Sequence, residues 1–151
     1  MIVLNRIDNR LIHGQVIEAW LPHLHIERVV VADDEAAADA LAAAAMELAM
    51  PADVQVTMRR VSQVDFAKLG DDAVRTLVLF RDVSSVMAAR QHGLPNGQLN
   101  VGNVHAGPGR HAVSRSVFLS DVEAEQLQSL NHSGMTVVIQ AVPAERPVSL
   151  S

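Results

Sequence analysis

The chain has 151 residues, 49% of them hydrophobic and 3% aromatic, with 12 basic and 17 acidic side chains giving a net charge of −5. A chain of this length buries roughly two thirds of the surface it exposes when unfolded, and without a single cysteine it has no thiol chemistry, cysteine-zinc site or disulfide and fits a reducing compartment. The acidic balance and only four aromatic side chains (Trp20, Phe66, Phe80, Phe118) argue against a nucleic-acid binder, and neither the opening MIVLNRIDNR nor any apolar run reads as an export signal or a membrane span.

Short β-branched runs alternate with helical stretches along the whole chain. Met1–Arg6 reads as the first strand, and Gly14–Leu21 as a helix with Val16 and Trp20 on one face. Glu27–Ala32 is the next strand, followed by an alanine-rich helix over Asp34–Met50 that Pro51 stops. Strand Val54–Arg59, helix Val61–Leu69, strand Thr76–Phe80 and helix Val83–Gln91 continue the pattern. Gln98–Val101 and Ser116–Leu119 read as strands, and the irregular segment from Gly93 to His111 holds five of the eight glycines. Helix Asp121–Asn131 opens on Ser120-Asp121-Val122-Glu123, the pattern of an N-terminal capping box, and Thr136–Val142 is the last strand. Apolar strands alternating with helices predict an α/β open sheet, mostly parallel and covered on both faces, in one domain over residues 1–151. In such sheets ligands bind beyond the carboxyl ends of the strands.

The stretch beyond the first strand carries the chemistry. In Arg6-Ile7-Asp8-Asn9-Arg10-Leu11-Ile12-His13-Gly14-Gln15-Val16 a histidine stands where a helix begins. Backbone N–H groups there favour a neutral imidazole and would stabilise an anion attached to it, such as phosphate. Gly14 lets the backbone approach phosphate oxygens, Arg10 offers a planar fork of donors, and Asp8 can orient either Arg10 or the imidazole. The competing reading of a His-Gly pair at a helix start is a cap or an internally satisfied histidine. A Walker loop and a dinucleotide fingerprint are both absent, since Gly102, Gly107 and Gly109 do not follow Gly-x-Gly-x-x-Gly.

These eleven residues resemble the active-site signature of the enzyme IIB component of the mannose/fructose/sorbose family of the bacterial phosphoenolpyruvate-dependent sugar phosphotransferase system. The resemblance runs on through Trp20, Arg28-Val-Val-Val-Ala-Asp-Asp34, Asn100-Val-Gly-Asn-Val-His105 and Val137-Val-Ile-Gln-Ala-Val-Pro143. It implies a protein-Nπ-phosphohistidine–sugar phosphotransferase in which His13 takes a phosphoryl group from phosphohistidine on a IIA partner and passes it to a sugar presented by the membrane proteins IIC and IID. Arg10 falls on the arginine that supports transfer, and Gly14, Gln15 and Asp8 fall beside the phosphate. The family precedent is phosphorylation at Nδ1, on an exposed loop, with no metal and no organic cofactor. It further implies a cytoplasmic protein that meets the membrane through IIC and IID, a possible homo-oligomer, and an open twisted sheet of about six parallel strands plus one antiparallel. The sequence departs from the family pattern at Asn103 and Val104, where two glycines and a methionine are frequent, at Arg110 in place of lysine, and in a short tail after Pro143. A regulatory phosphocarrier that keeps the histidine without serving transport shares the same signature.

Other residues carry two readings each. Arg81, after the fourth predicted strand, is either a further phosphate contact or a surface ion pair with Asp82. Asp33 and Asp34 read as a Mg²⁺ site or as polar residues at a strand end and helix cap, the second being favoured. His23 and His25 lack a third metal ligand. From Gln91 to Ser120 there is no carboxylate, while His92, His105, Arg110, His111 and Arg115 fall there, which suits an approaching anion or a plain glycine-rich loop.

Overall fold

The computed structural model describes residues 1–150. Seven strands form one sheet in the order β3-β2-β4-β1-β5-β8-β9. These are β1 (Ile2–Asp8), β2 (Arg28–Ala32), β3 (Gln55–Arg59), β4 (Thr76–Phe80), β5 (Gln98–Asn103), β8 (Thr136–Ile139) and β9 (Val148–Ser149). The first six run parallel and β9 pairs antiparallel with β8. That matches the expected six parallel strands and one antiparallel, with a change of membership. The expected strand Ser116–Leu119 is not in this sheet. Only Phe118–Leu119 (β7) is extended, and it closes a separate two-stranded hairpin with His111–Ala112 (β6). Its apolar character has another cause: Val117 and Leu119 fill the core under the end of β5, where Val104 bridges to Val117. The seventh strand instead comes from the tail after Pro143, and two residues beside Pro147 leave almost no pattern to read.

Helices cover both faces. One face is filled by Leu11, Val16, Trp20, Leu21 and Ala36 against Val29, Val31, Leu77 and Leu79. The other is filled by Phe66 ahead of α5 (Val83–Gln91) and α6 (Asp121–His132), packed on Val30, Val78, Phe80, Leu99 and Val137. Ser120 accepts from the Glu123 N–H while the Glu123 carboxylate accepts from the Ser120 N–H, so the capping box forms as expected. The long alanine helix is broken. Asp39 takes an extended conformation and accepts from the Leu41 and Ala42 N–H groups, ending α2 (Asp34–Ala38) and starting α3 (Ala40–Ala49). An aspartate side chain competes for backbone donors in this way, and alanine content cannot report it. Likewise 61–69 divides into a short 3₁₀ turn (Val61–Gln63) and α4 (Phe66–Asp71), with Asp65 as the cap.

Central strand β1 lies between β4 and β5. The segment leaving β1 packs on one face and α5, leaving β4, packs on the other, so the carboxyl end of the sheet opens between them. Against β5 the register runs Arg6 to Asn100, Ile7 to Val101, then Asp8 to Asn103. Gly102 is skipped. A Cβ on Gly102 would overlap the Arg6 guanidinium, so glycine is what allows the two strands to enclose that side chain.

Gly102→Ala is therefore expected to destabilise the fold by about 3 kcal/mol, because the overlap is with a fully buried group that cannot move aside. Gly97→Ala is the control, since its methyl would meet only the Asn5 side chain at 3.9 Å. Urea unfolding of both checks this, with the midpoint lowered in the first and near wild type in the second.

Candidate active site

The site is built on polar residues of β1. Arg6 and Asp8 are two apart on one strand, so both side chains project to the same side, and both are completely buried. Arg6 donates to Asp8 Oδ2 from Nε (3.3 Å) and Nη2 (3.1 Å). Its remaining N–H groups reach Asn100 Oδ1 (2.5 Å), the Gln140 and Ala141 carbonyls (3.2 and 3.0 Å) and Gln15 Oε1 (3.2 Å). The guanidinium lies 5.2 Å from the Trp20 ring centroid, and Trp20 Nε1 donates to the same Ala141 carbonyl at 3.0 Å. Burial lowers the Arg6 pKa, and the charge and hydrogen bonds of Asp8 oppose that.

Asp8 holds the histidine. His13 Nε2 sits 2.7 Å from Asp8 Oδ2, and Asn103 Nδ2 donates to the same oxygen at 2.9 Å. Burial alone would raise the Asp8 carboxyl, but the His13 hydrogen bond, the Arg6 charge and the Asn103 amide together hold it below the usual carboxylate range. An ionised carboxylate only accepts, so Nε2 carries the hydrogen and the lone pair of the neutral ring is on Nδ1. Nδ1 has no hydrogen-bond partner.

The loop between His13 and β1 is tight. Arg10 N–H donates to Asp8 Oδ1 at 3.0 Å, Leu11 N–H to the Asp8 carbonyl at 2.9 Å, and Leu11 takes φ +56° while burying its side chain. A helical stretch follows over 14–23. It contains a π-helical turn, Val16–Trp20, and ends as α1 (Leu21–His23). Val16 and Trp20 are both buried, as their spacing predicts, while the π turn itself has no sequence signature. A Cβ at Gly14 would meet nothing within 4 Å, so the space beside His13 at the helix start is open.

Two expectations change. His13 is not on an exposed loop: its side chain is only 8% accessible and Nδ1 is screened. The reason is the bond to buried Asp8, which draws the ring inward. Of the two partners open to Asp8, the imidazole is the one it orients, as it meets Arg10 only through the backbone N–H. The Arg10 side chain is exposed and makes no hydrogen bond among the described residues. It shares a groove of about 290 Å³ with Arg81, Glu35 and Asp39, at the opening between β1 and β4. Arg81 does not pair with Asp82, which caps α5. It pairs with Asp33 at 2.7 Å, while Asp33 caps α2 and Asp34 accepts from the Val61 N–H. The favoured reading of Asp33 and Asp34 as polar end groups accounts for both. Arg110 is also engaged: Glu123, from outside the carboxylate-free window, accepts from it at 3.0 Å.

Over residues 2–151 the chain matches the family model described as the PTS system sorbose subfamily IIB component. The chain belongs to this family. It is a IIB component of the sugar phosphotransferase system. The N-acetylgalactosamine-specific phosphotransferase enzyme IIB component 2 of Escherichia coli is 30% identical, over 99% of this chain and 96% of that protein. The crystal structure of the N-acetylgalactosamine-specific IIB component 1 from Escherichia coli superimposes with TM-score 0.88 at 26% identity, covering all of both chains. The IIB domain of the Klebsiella pneumoniae sorbose permease shares the fold at TM-score 0.88 and 22% identity, over 99% of this chain and 93% of that one. Among the described residues of this IIB chain no helix is long and apolar enough to cross a membrane.

Sequence reasoning brought Asp8, His13, Gly14 and Gln15 together and missed Arg6, Asn100, Asn103 and Gln140. Asn103, noted only as a departure from the family pattern beside the site, shares an oxygen of Asp8 with His13.

Asp8→Asn would leave the Arg6 charge buried without its counter-ion, a change of about 3 kcal/mol or more. The sign follows from the lowered carboxyl. Asp8 contributes fully above the ordinary carboxylate value of about 4 and loses that contribution as pH falls through its lower folded value. Urea unfolding at pH 7 and in steps below pH 4 should therefore show wild type and variant far apart at neutrality and converging in acid.

Proposed function

We propose that His13 of this IIB chain accepts a phosphoryl group at Nδ1 from phosphohistidine on a IIA partner and delivers it to a sugar entering through IIC and IID. The observation that carries this reading is the pair of environments of one ring: Nε2 fixed on a buried carboxylate, Nδ1 without any partner. The Nδ1 lone pair attacks phosphorus, the P–N bond of the donor breaks, and the donor imidazole leaves with the electron pair. Nε2 keeps its proton throughout, and Asp8 stabilises the ring as charge develops on it. In the second transfer a sugar hydroxyl oxygen bonds to phosphorus, its proton passes to a base or water, and Nδ1 recovers its electron pair.

The chain's own part is positioning and electrostatics. The first N–H groups of the helical stretch, from Gly14 and Gln15 on, have no partner within the helix and suit the phosphoryl oxygens. Arg10 carries the exposed guanidinium nearest in sequence, free to close on the phosphoryl group. Arg81, already neutralised by Asp33, is a weaker contact on the far side of the same groove. Because Nδ1 is screened, acceptance requires the groups that cover it to move aside when the donor docks, while Nε2 stays on Asp8. The chain works as one domain, on the cytoplasmic face of the membrane, with no metal or organic cofactor.

His13→Ala is expected to keep the fold and to gain no phosphate from a phosphorylated IIA partner, read by intact mass. A gain of one phosphate in the variant would move the site elsewhere. Arg10→Lys should fold as the wild type, since surface changes stay within about 0.5 kcal/mol. It should nevertheless transfer about a hundredfold more slowly, because an ammonium cannot hold two phosphate oxygens in one plane. Rapid-quench transfer rates beside thermal unfolding decide between a phosphate clamp and a solvated charge.

A further inference from the structure

The polarity of two side-chain amides beside His13 is fixed by the charged groups they touch. Asn103 Nδ2 lies 2.9 Å from Asp8 Oδ2 and 3.1 Å from Gln15 Oε1. Asp8 can only accept, so Asn103 must turn its NH₂ toward it, and the second hydrogen of that NH₂ serves Gln15. Gln15 must then present its oxygen, and Arg6, which can only donate, requires the same: Nη2 lies 3.2 Å from Gln15 Oε1. Arg6, Asp8, Asn103 and Gln15 thus close a ring of hydrogen bonds in which flipping Asn103 would set acceptor against acceptor and flipping Gln15 donor against donor. Gln15 Nε2, two residues beyond His13, is left as a donor without a partner among the described residues.

Given the reading that His13 carries the phosphoryl group, we propose that Asn103 is a positioning residue for that transfer, holding the Gln15 carboxamide so that Nε2 is presented as a neutral donor to a phosphoryl oxygen. Asn103 does not touch the phosphoryl group. It acts by occupying Gln15 Oε1, together with Arg6. The position is set by the skipped Gly102, which brings Asn103 rather than its neighbour opposite Asp8. Without the Asn103 side chain, Arg6 alone holds Gln15, and the carboxamide can rotate away from the phosphoryl oxygens.

The test uses the full chain and phosphoramidate as donor, so that partner docking does not enter, with the modified residue mapped by mass spectrometry under alkaline conditions. Gln15→Ala, Asn103→Gly and the double variant form a cycle. Gln15→Ala should slow phosphorylation of His13 about tenfold or more, Asn103→Gly should slow it by a comparable factor, and the double variant should be no slower than the slower single. Asn103→Asp, which cannot donate to Gln15 and sets a second carboxylate against Asp8, should be at least as slow as Asn103→Gly. Circular dichroism melts of all four variants identify loss of fold, and rates are compared at a temperature where each is folded. Independent, multiplicative effects in the cycle, or a wild-type rate in Asn103→Asp, would overturn the proposal while leaving His13 as the acceptor. Wild type modified at a residue other than His13 would instead overturn the functional reading beneath it.

Discussion

The buried ion pair of Arg6 and Asp8 is the interaction around which this end of the molecule is organised. Placing two charges in the middle of a sheet is costly, and the arrangement persists because every N–H of the guanidinium and both carboxylate oxygens have partners. Those partners come from four separate parts of the chain: β5, the turn after β1, the start of the helical stretch, and the segment after β8. The pair therefore does more than satisfy itself. It ties the segment 140–141, the Trp20 indole and the histidine turn to one strand, so that the position of His13 is specified by the core rather than by the loop that carries it.

That division of labour explains why the histidine turn can be short and strained. Leu11 sits at positive φ, a conformation of low intrinsic stability for a branched side chain, and it is held by its own burial and by bonds back to Asp8. A turn anchored at its base and open at Gly14 leaves room for a donor beside the imidazole without disturbing the sheet. The opposite arrangement, with the histidine on a strand, would fix Nδ1 but give a partner protein no way to reach it.

How much of this was legible in the sequence depends on range. The alternation of strands and helices gave the sheet, and the residues from Asp8 to Val16 gave the histidine, its carboxylate and its helix start, because all of these are local. The long-range half of the site was not. Arg6 and Asp8 are charged residues in a mostly apolar central strand, which is itself a signal that a buried network must exist, since each would otherwise be an unpaired charge in the core. Their partners Asn100 and Asn103 lie more than ninety positions away in number and become neighbours only through the parallel register of β1 and β5, with its shift at Gly102. A pattern reader sees Asn100-Val-Gly-Asn as a glycine-containing strand end. The missing information is which strand stands beside it.

The same reasoning separates the two arginines that both reach the groove at the sheet opening. Arg81 is spoken for by Asp33, a residue that also caps α2, so drawing Arg81 onto phosphate would break its ion pair with Asp33. Arg10 has no such tie. Its backbone is fixed through the N–H on Asp8 while its side chain is free, which suits the role proposed for it, near the phosphoryl oxygens in one state and clear of the donor in another. A charge fixed on both counts would have to be accommodated by the partner. A charge fixed on neither would lose on ordering what it gains on contact. Anchoring the backbone of Arg10 to the carboxylate that holds the imidazole keeps the proposed clamp and the proposed nucleophile on one fixed turn.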